Sequence, residues 1–155
     1  ALKIPVKVAA TNLQKGRVDY FSSGDLITPL LASCCVPVIF NPVEINGEVY
    51  VDGGIMDNLP AKCLRDESNF LIGSHCNYVS SEFNVKNFRS VMERSLLLAI
   101  GGNTVVSRNL CDLLIEPPEL GNASAFDMSD PARLFDIGYR FTKNTYNRLS
   151  FGSRD

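Results

Sequence analysis

The chain opens with two stretches whose hydrophobic and polar positions predict paired β-strands. Residues 4–10 alternate and then run apolar, which is typical of a strand that enters a core. Residues 18–21 form a second short stretch of strand-forming residues, and a turn around Lys15-Gly16 separates the two. We therefore expect the first two strands to pair with each other.

A helix is predicted next, because Asp25 precedes a mainly apolar segment. Asp is a preferred N-cap residue, so the helix is expected to run from Leu26 to about Cys35. The helix must end there, because the residue that precedes Pro37 avoids the helical region of backbone conformation.

Residues 42–51 predict a β-hairpin that ends beside a pair of glycines. Asn46-Gly47 lies between alternating apolar residues. Both positions of a tight hairpin turn need a positive φ, which Asn and Gly tolerate better than other residues do. The returning strand is expected to end at Asp52, which Gly53-Gly54 follows.

The second half of the chain alternates between helical and strand patterns. A short helix is expected from about Leu59, and residues 70–73 predict a buried strand. Residues 85–100 place apolar side chains at helical spacing, and Gly101-Gly102 is expected to close that helix. Residues 111–115 predict a further short strand.

The last predicted element is a long amphipathic helix that begins at Ser129 or Asp130. Its apolar face comprises Leu134, Ile137, Phe141 and Leu149. Strands that alternate with helices indicate an α/β fold, and we expect a layered sandwich with a mainly parallel sheet. No repeat or linker-like stretch interrupts residues 1–155, so they are expected to form one unit.

Composition and charge exclude several classes of partner. The chain has 155 residues and a formal net charge of −2, so we expect one domain and no nucleic-acid partner. The longest uninterrupted apolar run is residues 96–100, whereas a membrane-spanning helix needs about 20 apolar residues. Any contact with a membrane is therefore expected to be peripheral.

The cysteines bear on the compartment and on metal binding. The chain has 5 cysteines, an odd number, and none of them forms a Cys-x-x-Cys pair. Reduced thiols, no metal site and no cofactor are therefore expected. No signal-peptide pattern opens the sequence. We expect a cytoplasmic location, with peripheral membrane contact as an option.

Asp52 is the candidate for chemistry. It follows a β-rich run and precedes two glycines, and open α/β sheets place their sites where strands end. The glycines allow a sharp turn and the close approach of a second element. Position alone fits a second role equally well, since Asp commonly caps a turn through the backbone that follows it.

Several segments, in order along the chain, resemble the family of patatin-like phospholipases. The stretch Tyr-Val-Asp-Gly-Gly-Ile-Met-Asp-Asn-Leu-Pro at residues 50–60 is similar to the family's Asp-Gly-Gly motif with its trailing Asn-x-Pro. The Ala-Ser pair, Pro and Phe of residues 32–42 resemble the segment that comes before this motif. Residues 4–16, 111–117 and 137–139 resemble the family's other strands and its closing helix.

This resemblance implies a fold of the patatin and lysophospholipase type, incomplete at its N-terminal side, of which residues 1–155 are the C-terminal portion. It also implies a Ser-Asp dyad that hydrolyses lipid acyl esters, with Asp52 as the catalytic aspartate. The family's serine lies in a Gly-x-Ser-x-Gly elbow, and no such pattern occurs in these 155 residues. The chain alone is therefore expected to be inactive. The implied partners are the lipid or acyl-ester substrate and the N-terminal part of the domain.

A second class of function remains open at this stage. The scaffold could be retained as a non-catalytic lipid-binding or interaction domain that has lost its nucleophile. The residues encoded before Ala1 discriminate the two, because a Gly-x-Ser-x-Gly elbow there, after a Gly-rich loop, supports the enzyme.

Overall fold

The computed structural model describes residues 2–123 and 129–148, which form a four-stranded sheet, a two-stranded sheet and five α-helices. The strands are β1 (Val8–Asn12), β2 (Arg17–Phe21), β3 (Val43–Ile45), β4 (Glu48–Asp52), β5 (Ile72–Ser74) and β6 (Leu113–Ile115). The helices are α1 (Ile27–Ser33), α2 (Gly54–Asp57), α3 (Lys62–Arg65), α4 (Phe88–Leu110) and α5 (Pro131–Arg148). A short 3-10 helix, Pro118–Asn122, follows β6.

The four-stranded sheet has the order β2-β1-β4-β3, which makes β1 and β4 its central strands. All five residues of β1 are buried. Ala10, Ala32 of α1 and Tyr50 form the buried cluster on this sheet, and the ring of Phe21 packs edge-on against Tyr50 with 5.4 Å between centroids. The core therefore lies where α1 covers the two strands that flank the Asp52 turn.

Both hairpins predicted from the sequence are present. β1 pairs with β2 in antiparallel register from Val8 opposite Phe21 to Asn12 opposite Arg17. β3 pairs with β4 across Asn46 and Gly47, whose φ angles are 54° and 79°. These are the positive values that a two-residue hairpin turn requires, so local turn chemistry sets the register of the strand that ends at Asp52.

The expected mainly parallel sheet is wrong for the four-stranded sheet, in which every pairing is antiparallel. Parallel neighbours need a crossover of about a dozen or more residues, usually a helix. Within the described residues only β5 and β6, with α4 between them, form such a unit, and they pair in parallel. The structure is mixed α/β, and a layered sandwich is not confirmed within this part of the chain.

The predicted helix starts at Asp25 and Asp130 are confirmed. The Asp25 carboxylate accepts hydrogen bonds from the backbone N–H groups of Ile27 and Thr28, each at 3.1 Å. The Asp130 carboxylate accepts one from the N–H of Arg133 at 3.0 Å. Leu149, which was assigned to the apolar face of the last helix, lies outside the described residues.

Several elements differ from the sequence-based boundaries, and β1 begins at Val8 instead of near Ile4. Residues 54–57 form a helix, α2, that was not predicted, and α3 begins at Lys62 instead of near Leu59. The strand expected at residues 70–73 is only partly buried, since Leu71 is 7% exposed but Ile72 is 55% exposed. These are short elements, and tertiary contacts outweigh local preference in them.

Helix α4 does not end at Gly101-Gly102, as expected, but continues to Leu110. A helix-ending glycine adopts a positive φ, and neither of these glycines is among the residues with positive φ. The continuation buries Thr104 and Ser107, at 0% and 5% exposed. Packing of these residues therefore extends the helix beyond a local stop pattern.

We expect Gly102→Ala to stabilise the protein by about 0.5–1 kcal/mol, because Ala loses less backbone entropy than Gly in a helix interior. A Cβ added at Gly102 would meet no atom within 4 Å. Urea denaturation of the variant measures the effect. A loss of stability would instead indicate a helix end with positive φ at this position.

None of the helices within residues 2–123 and 129–148 is long and apolar enough to cross a membrane.

Candidate active site

Asp52 is the last residue of β4 and is held in place by its backbone. It lies opposite Ala10 of β1 in the antiparallel register. Its N–H donates to the carbonyl oxygen of Cys35 at 3.0 Å, and its carbonyl oxygen accepts from the hydroxyl of Thr11 at 2.8 Å. These two hydrogen bonds, one to Cys35 and one from Thr11, hold the backbone of Asp52 in place.

The two carboxylate oxygens of Asp52 have different surroundings. Oδ1 accepts a hydrogen bond from the backbone N–H of Gly54 at 2.7 Å, so Asp52 does cap its own turn. No donor within residues 2–123 and 129–148 is hydrogen-bonded to Oδ2. The side chain is half-buried. One oxygen therefore stabilises the turn while the other can accept a proton from a reacting group.

Burial raises the pKa of the Asp52 carboxyl above its ordinary value, and the hydrogen bond from the N–H of Gly54 partly offsets this rise. A raised pKa makes a carboxylate a stronger base. An unperturbed Asp, with a pKa of about 3.9, is a weak base at neutral pH. The direction of the shift is therefore the one that proton abstraction needs.

Close packing requires glycine at both positions after Asp52. A Cβ at Gly53 would lie 2.3 Å from the carbonyl oxygen of Ala9, which belongs to the neighbouring strand. A Cβ at Gly54 would lie 2.6 Å from Oδ1 of Asn58 and 3.0 Å from Oδ1 of Asp52. The glycines thus let β1 and the Asn58 amide approach the turn, as the close-approach argument predicted.

Asn103 of α4 makes side-chain hydrogen bonds with the backbone that follows Asp52. Its side-chain Nδ2 donates to the carbonyl oxygens of Gly54 and Ile55, at 3.3 Å and 2.9 Å. Its Oδ1 accepts from the backbone N–H of Asn58 at 3.3 Å. One amide therefore contacts the backbone at the start of α2 and at Asn58, the residue that follows α2. These contacts stabilise the short helix after Asp52.

A chain of polar side chains lies behind Asn58. Nδ2 of Asn58 is 3.1 Å from Nε2 of His75, and Nδ1 of His75 is 2.6 Å from Oε1 of Glu116. Arg108 completes the chain, with Nη2 at 2.7 Å from the same Glu116 oxygen. The His75 side chain is 2% exposed and that of Glu116 is 13% exposed. The site of Asp52 is therefore connected to the ends of β5, β6 and α4.

Other residues considered near the turn take different roles. Asp57 accepts a hydrogen bond from the hydroxyl of Tyr20. His75 is buried, and its two ring nitrogens contact Asn58 and Glu116, not Asp52.

Sequence reasoning missed Asn103, Glu116 and Arg108 as supports of this turn. Asn103 lies 45 residues from Asn58 in the chain. Glu116 and Arg108 are connected to Asn58 only through His75. The sequence offered one usable clue, since Glu116 and His75 each follow directly after an apolar strand. Parallel strands place such positions at the same edge of a sheet.

Comparison with known proteins gives a family match in the part of the chain that contains Asp52. The family model for patatin-like phospholipases matches residues 2–64, so this segment is similar to members of that family. The matched segment includes all four strands of the antiparallel sheet, together with α1, α2 and the Asp52 turn.

Individual relatives match over a similar length. An uncharacterised NTE family protein of Mycobacterium tuberculosis and one of Mycobacterium bovis are each 39% identical over 59 residues, which is 38% of this chain. A probable lipid hydrolase of Invertebrate iridescent virus 6 is 33% identical over 58 residues, 34% of this chain. The match spans 16% of the length of each mycobacterial relative and 20% of the viral one.

Proposed function

We propose that this chain is the C-terminal portion of a patatin-like domain that hydrolyses lipid acyl esters, with Asp52 as the base of a Ser-Asp dyad. The observation that carries the proposal is the asymmetry of the carboxylate. Oδ1 is bound to the N–H of Gly54, whereas Oδ2 has no hydrogen bond from the described residues. The raised pKa of Asp52 supports the same role.

In the proposed reaction a serine hydroxyl attacks the ester carbonyl and Oδ2 of Asp52 takes the hydroxyl proton. An oxyanion hole stabilises the charge that develops on the carbonyl oxygen. The serine and the oxyanion loop belong to chain outside these residues, since no Gly-x-Ser-x-Gly pattern occurs among the 155. Asp52 then gives that proton to the departing alcohol oxygen as the acyl-serine forms. Water attacks the acyl-serine while Oδ2 of Asp52 accepts a proton from it, and that proton returns to the serine oxygen as the fatty acid leaves.

The comparisons support a lipid ester as the substrate class. The matched family is described as patatin-like phospholipases, and the viral relative is named a probable lipid hydrolase. The family match, residues 2–64, contains the sheet that positions Asp52. We assign a lipid acyl ester to this chain as its substrate on that basis. The protein would contact a lipid surface as a peripheral membrane protein does.

Exposed apolar side chains support the assignment of the chain to part of a larger domain. Helix α1 and the loop after it expose Ile27 by 68% and Val38 by 84%. Leu30, Leu31, Ile39 and Phe40 are also exposed in this segment. A concentration of exposed apolar side chains in one segment favours an interface. In the proposed domain, the N-terminal part covers this segment and completes a layered sheet with further parallel strands.

The chain of residues 1–155 is expected to hydrolyse no nitrophenyl ester above the solvent background, because it holds the base without the nucleophile. The same chain, extended by the residues encoded before Ala1, is expected to turn over the ester and to react covalently with a fluorophosphonate at one serine. The measurements are the absorbance of the released nitrophenolate and mass spectrometry of the labelled protein.

The extended protein also decides between the two classes of function. Lipid binding to vesicles without ester hydrolysis or fluorophosphonate labelling would contradict the enzyme and favour the non-catalytic lipid-binding domain. Hydrolysis by residues 1–155 alone would contradict the placement of the serine outside this chain.

A further inference from the structure

The His75 side chain is 2% exposed, and both nitrogens of its ring contact polar side chains. Nδ1 lies 2.6 Å from Oε1 of Glu116, and Nε2 lies 3.1 Å from Nδ2 of Asn58. A buried imidazole with two polar partners is an oriented group with one favoured hydrogen-bonding pattern. The dyad of the proposed function does not use it.

We propose that His75 is a positioning residue for Asp52, which is held by Glu116 through Nδ1 and fixes the Asn58 amide against Gly54 through Nε2. The inference rests on the proposed function for its catalytic consequence. It assigns a role to a histidine that the two-residue dyad leaves idle, and it links the reactive turn to the second sheet.

The partners of the ring determine the tautomer. Glu116 carries a carboxylate that can only accept, so Nδ1 of His75 must donate to it. Nε2 is then an acceptor, and the Asn58 amide presents its Nδ2 as the donor. The other end of that amide, Oδ1, faces Nδ2 of Asn77 at 3.5 Å. Each contact in the chain is satisfied by one assignment of hydrogens.

Glu116 is kept as an acceptor by a cation on its other side. Nη2 of Arg108 lies 2.7 Å from the Glu116 oxygen that His75 contacts. The Arg108 charge compensates the Glu116 charge in this largely buried position. Nε of Arg108 is buried and has no hydrogen-bond partner among the described residues. The arginine therefore bonds Glu116 through one side of its guanidinium.

Asn58 transmits the orientation of His75 to Asp52 through Gly54. A Cβ added to Gly54 would meet Oδ1 of both Asn58 and Asp52, which shows that the two oxygens crowd the same face of this residue. Gly54 also donates the N–H that holds Oδ1 of Asp52. Rotation of the Asn58 amide would therefore move the group that orients the carboxylate.

Two amide substitutions separate the two contacts of the ring. The amide of His75→Gln can place an oxygen near the position of Nε2, where it accepts from Asn58. The amide of His75→Asn can place a nitrogen near the position of Nδ1, where it donates to Glu116. The first keeps the contact toward Asp52, and the second keeps the contact toward the second sheet.

We expect His75→Asn to lower kcat for a short-chain ester by between about 10-fold and 100-fold, because a small displacement of a catalytic group is costly. His75→Gln is expected to retain at least roughly a third of the wild-type kcat, and KM should change little in either variant. Amide hydrogen exchange at Gly54 should accelerate in His75→Asn and stay close to wild type in His75→Gln. Activity is measured in the full-length protein, and exchange is measured in the same protein.

A merely structural role predicts the opposite pattern, in which both variants lose thermal stability and share the same kcat. That result would overturn the proposal, as would Gly54 exchange that is equal in the two variants. If His75→Asn does not fold, Asn58→Ala removes the same contact from the other side and is expected to show the same loss of kcat and faster Gly54 exchange. A wild-type protein without esterase activity would contradict the proposed function, while Gly54 exchange would still decide the positioning role.

Discussion

Asp52→Asn, made in the full-length protein, is expected to reduce ester hydrolysis by about 100-fold to 10⁴-fold, the range that general base catalysis contributes. The change is nearly isosteric, and the Asn oxygen can still accept the hydrogen bond from Gly54 that Oδ1 accepts at 2.7 Å. The variant therefore keeps the turn but loses the proton acceptor. The measurement is kcat/KM for a nitrophenyl ester together with a circular dichroism spectrum.

The same substitution is expected to stabilise the fold at neutral pH. Burial raises the pKa of Asp52 in the folded state, so between the unfolded and the folded pKa the native state binds more protons than the unfolded state does. The stability of the wild-type protein therefore falls as the pH rises through that window. Asn carries no charge to desolvate, so the urea midpoint of Asp52→Asn at pH 7 should exceed that of the wild type.

The pH profile of the full-length wild-type protein provides an independent check on Asp52. The proposed reaction requires the ionised carboxylate, so kcat/KM should rise with pH through the pKa of Asp52, which lies above its ordinary value of 3.8. Asp66→Asn is a suitable control, because Asp66 is exposed at the end of α3. Activity of Asp52→Asn within a few-fold of the Asp66→Asn control would refute the role of Asp52 as the base.

Gly53→Ala is expected to destabilise the protein by about 3 kcal/mol, at the upper end of the usual cost of overpacking. The added Cβ would lie 2.3 Å from the carbonyl oxygen and 2.7 Å from the carbonyl carbon of Ala9. Both atoms are backbone atoms of the central strand β1, so no side-chain rotation can relieve the contact. Either β1 or the Asp52 turn has to move.

Activity should fall with stability in Gly53→Ala, because displacement of the turn moves the Asp52 carboxylate. Gly102→Ala is the matched control, since its added Cβ meets no atom within 4 Å. Thermal denaturation of the two variants should give opposite shifts in Tm, with a decrease of roughly 6–12 °C for Gly53→Ala. An unchanged Tm for Gly53→Ala would show that β1 does not pack on the turn as described.

Local chemistry made the first half of the fold predictable. Asn46-Gly47 and Asp25 act through backbone groups within a few residues, so their effects are visible in the sequence. The position of Asp52 at the end of β4 followed from the same hairpin register. The resemblance of residues 50–60 then implied a catalytic role for Asp52, which position alone left balanced against turn capping.

Pairing direction and helix length were not predictable in the same way. The alternation of strands and helices suggested a parallel sheet, but within residues 2–123 and 129–148 only α4 connects two neighbouring strands as a crossover. The glycines at 101 and 102 indicated a helix end, and burial of Thr104 overrode that local preference. Both errors arose because long-range packing, which a local pattern does not encode, determined the outcome.

The sequence by itself determined the turn that carries Asp52, because hairpin geometry and the need for glycine act between adjacent residues. Only the tertiary structure decided how that turn is supported. Asn103 meets α2, and His75 and Glu116 meet behind Asn58, across separations of 41 to 49 residues. Such contacts depend on the pairing of β5 with β6 and on the path of α4. Folding of the whole chain is therefore required before these polar side chains become a single site.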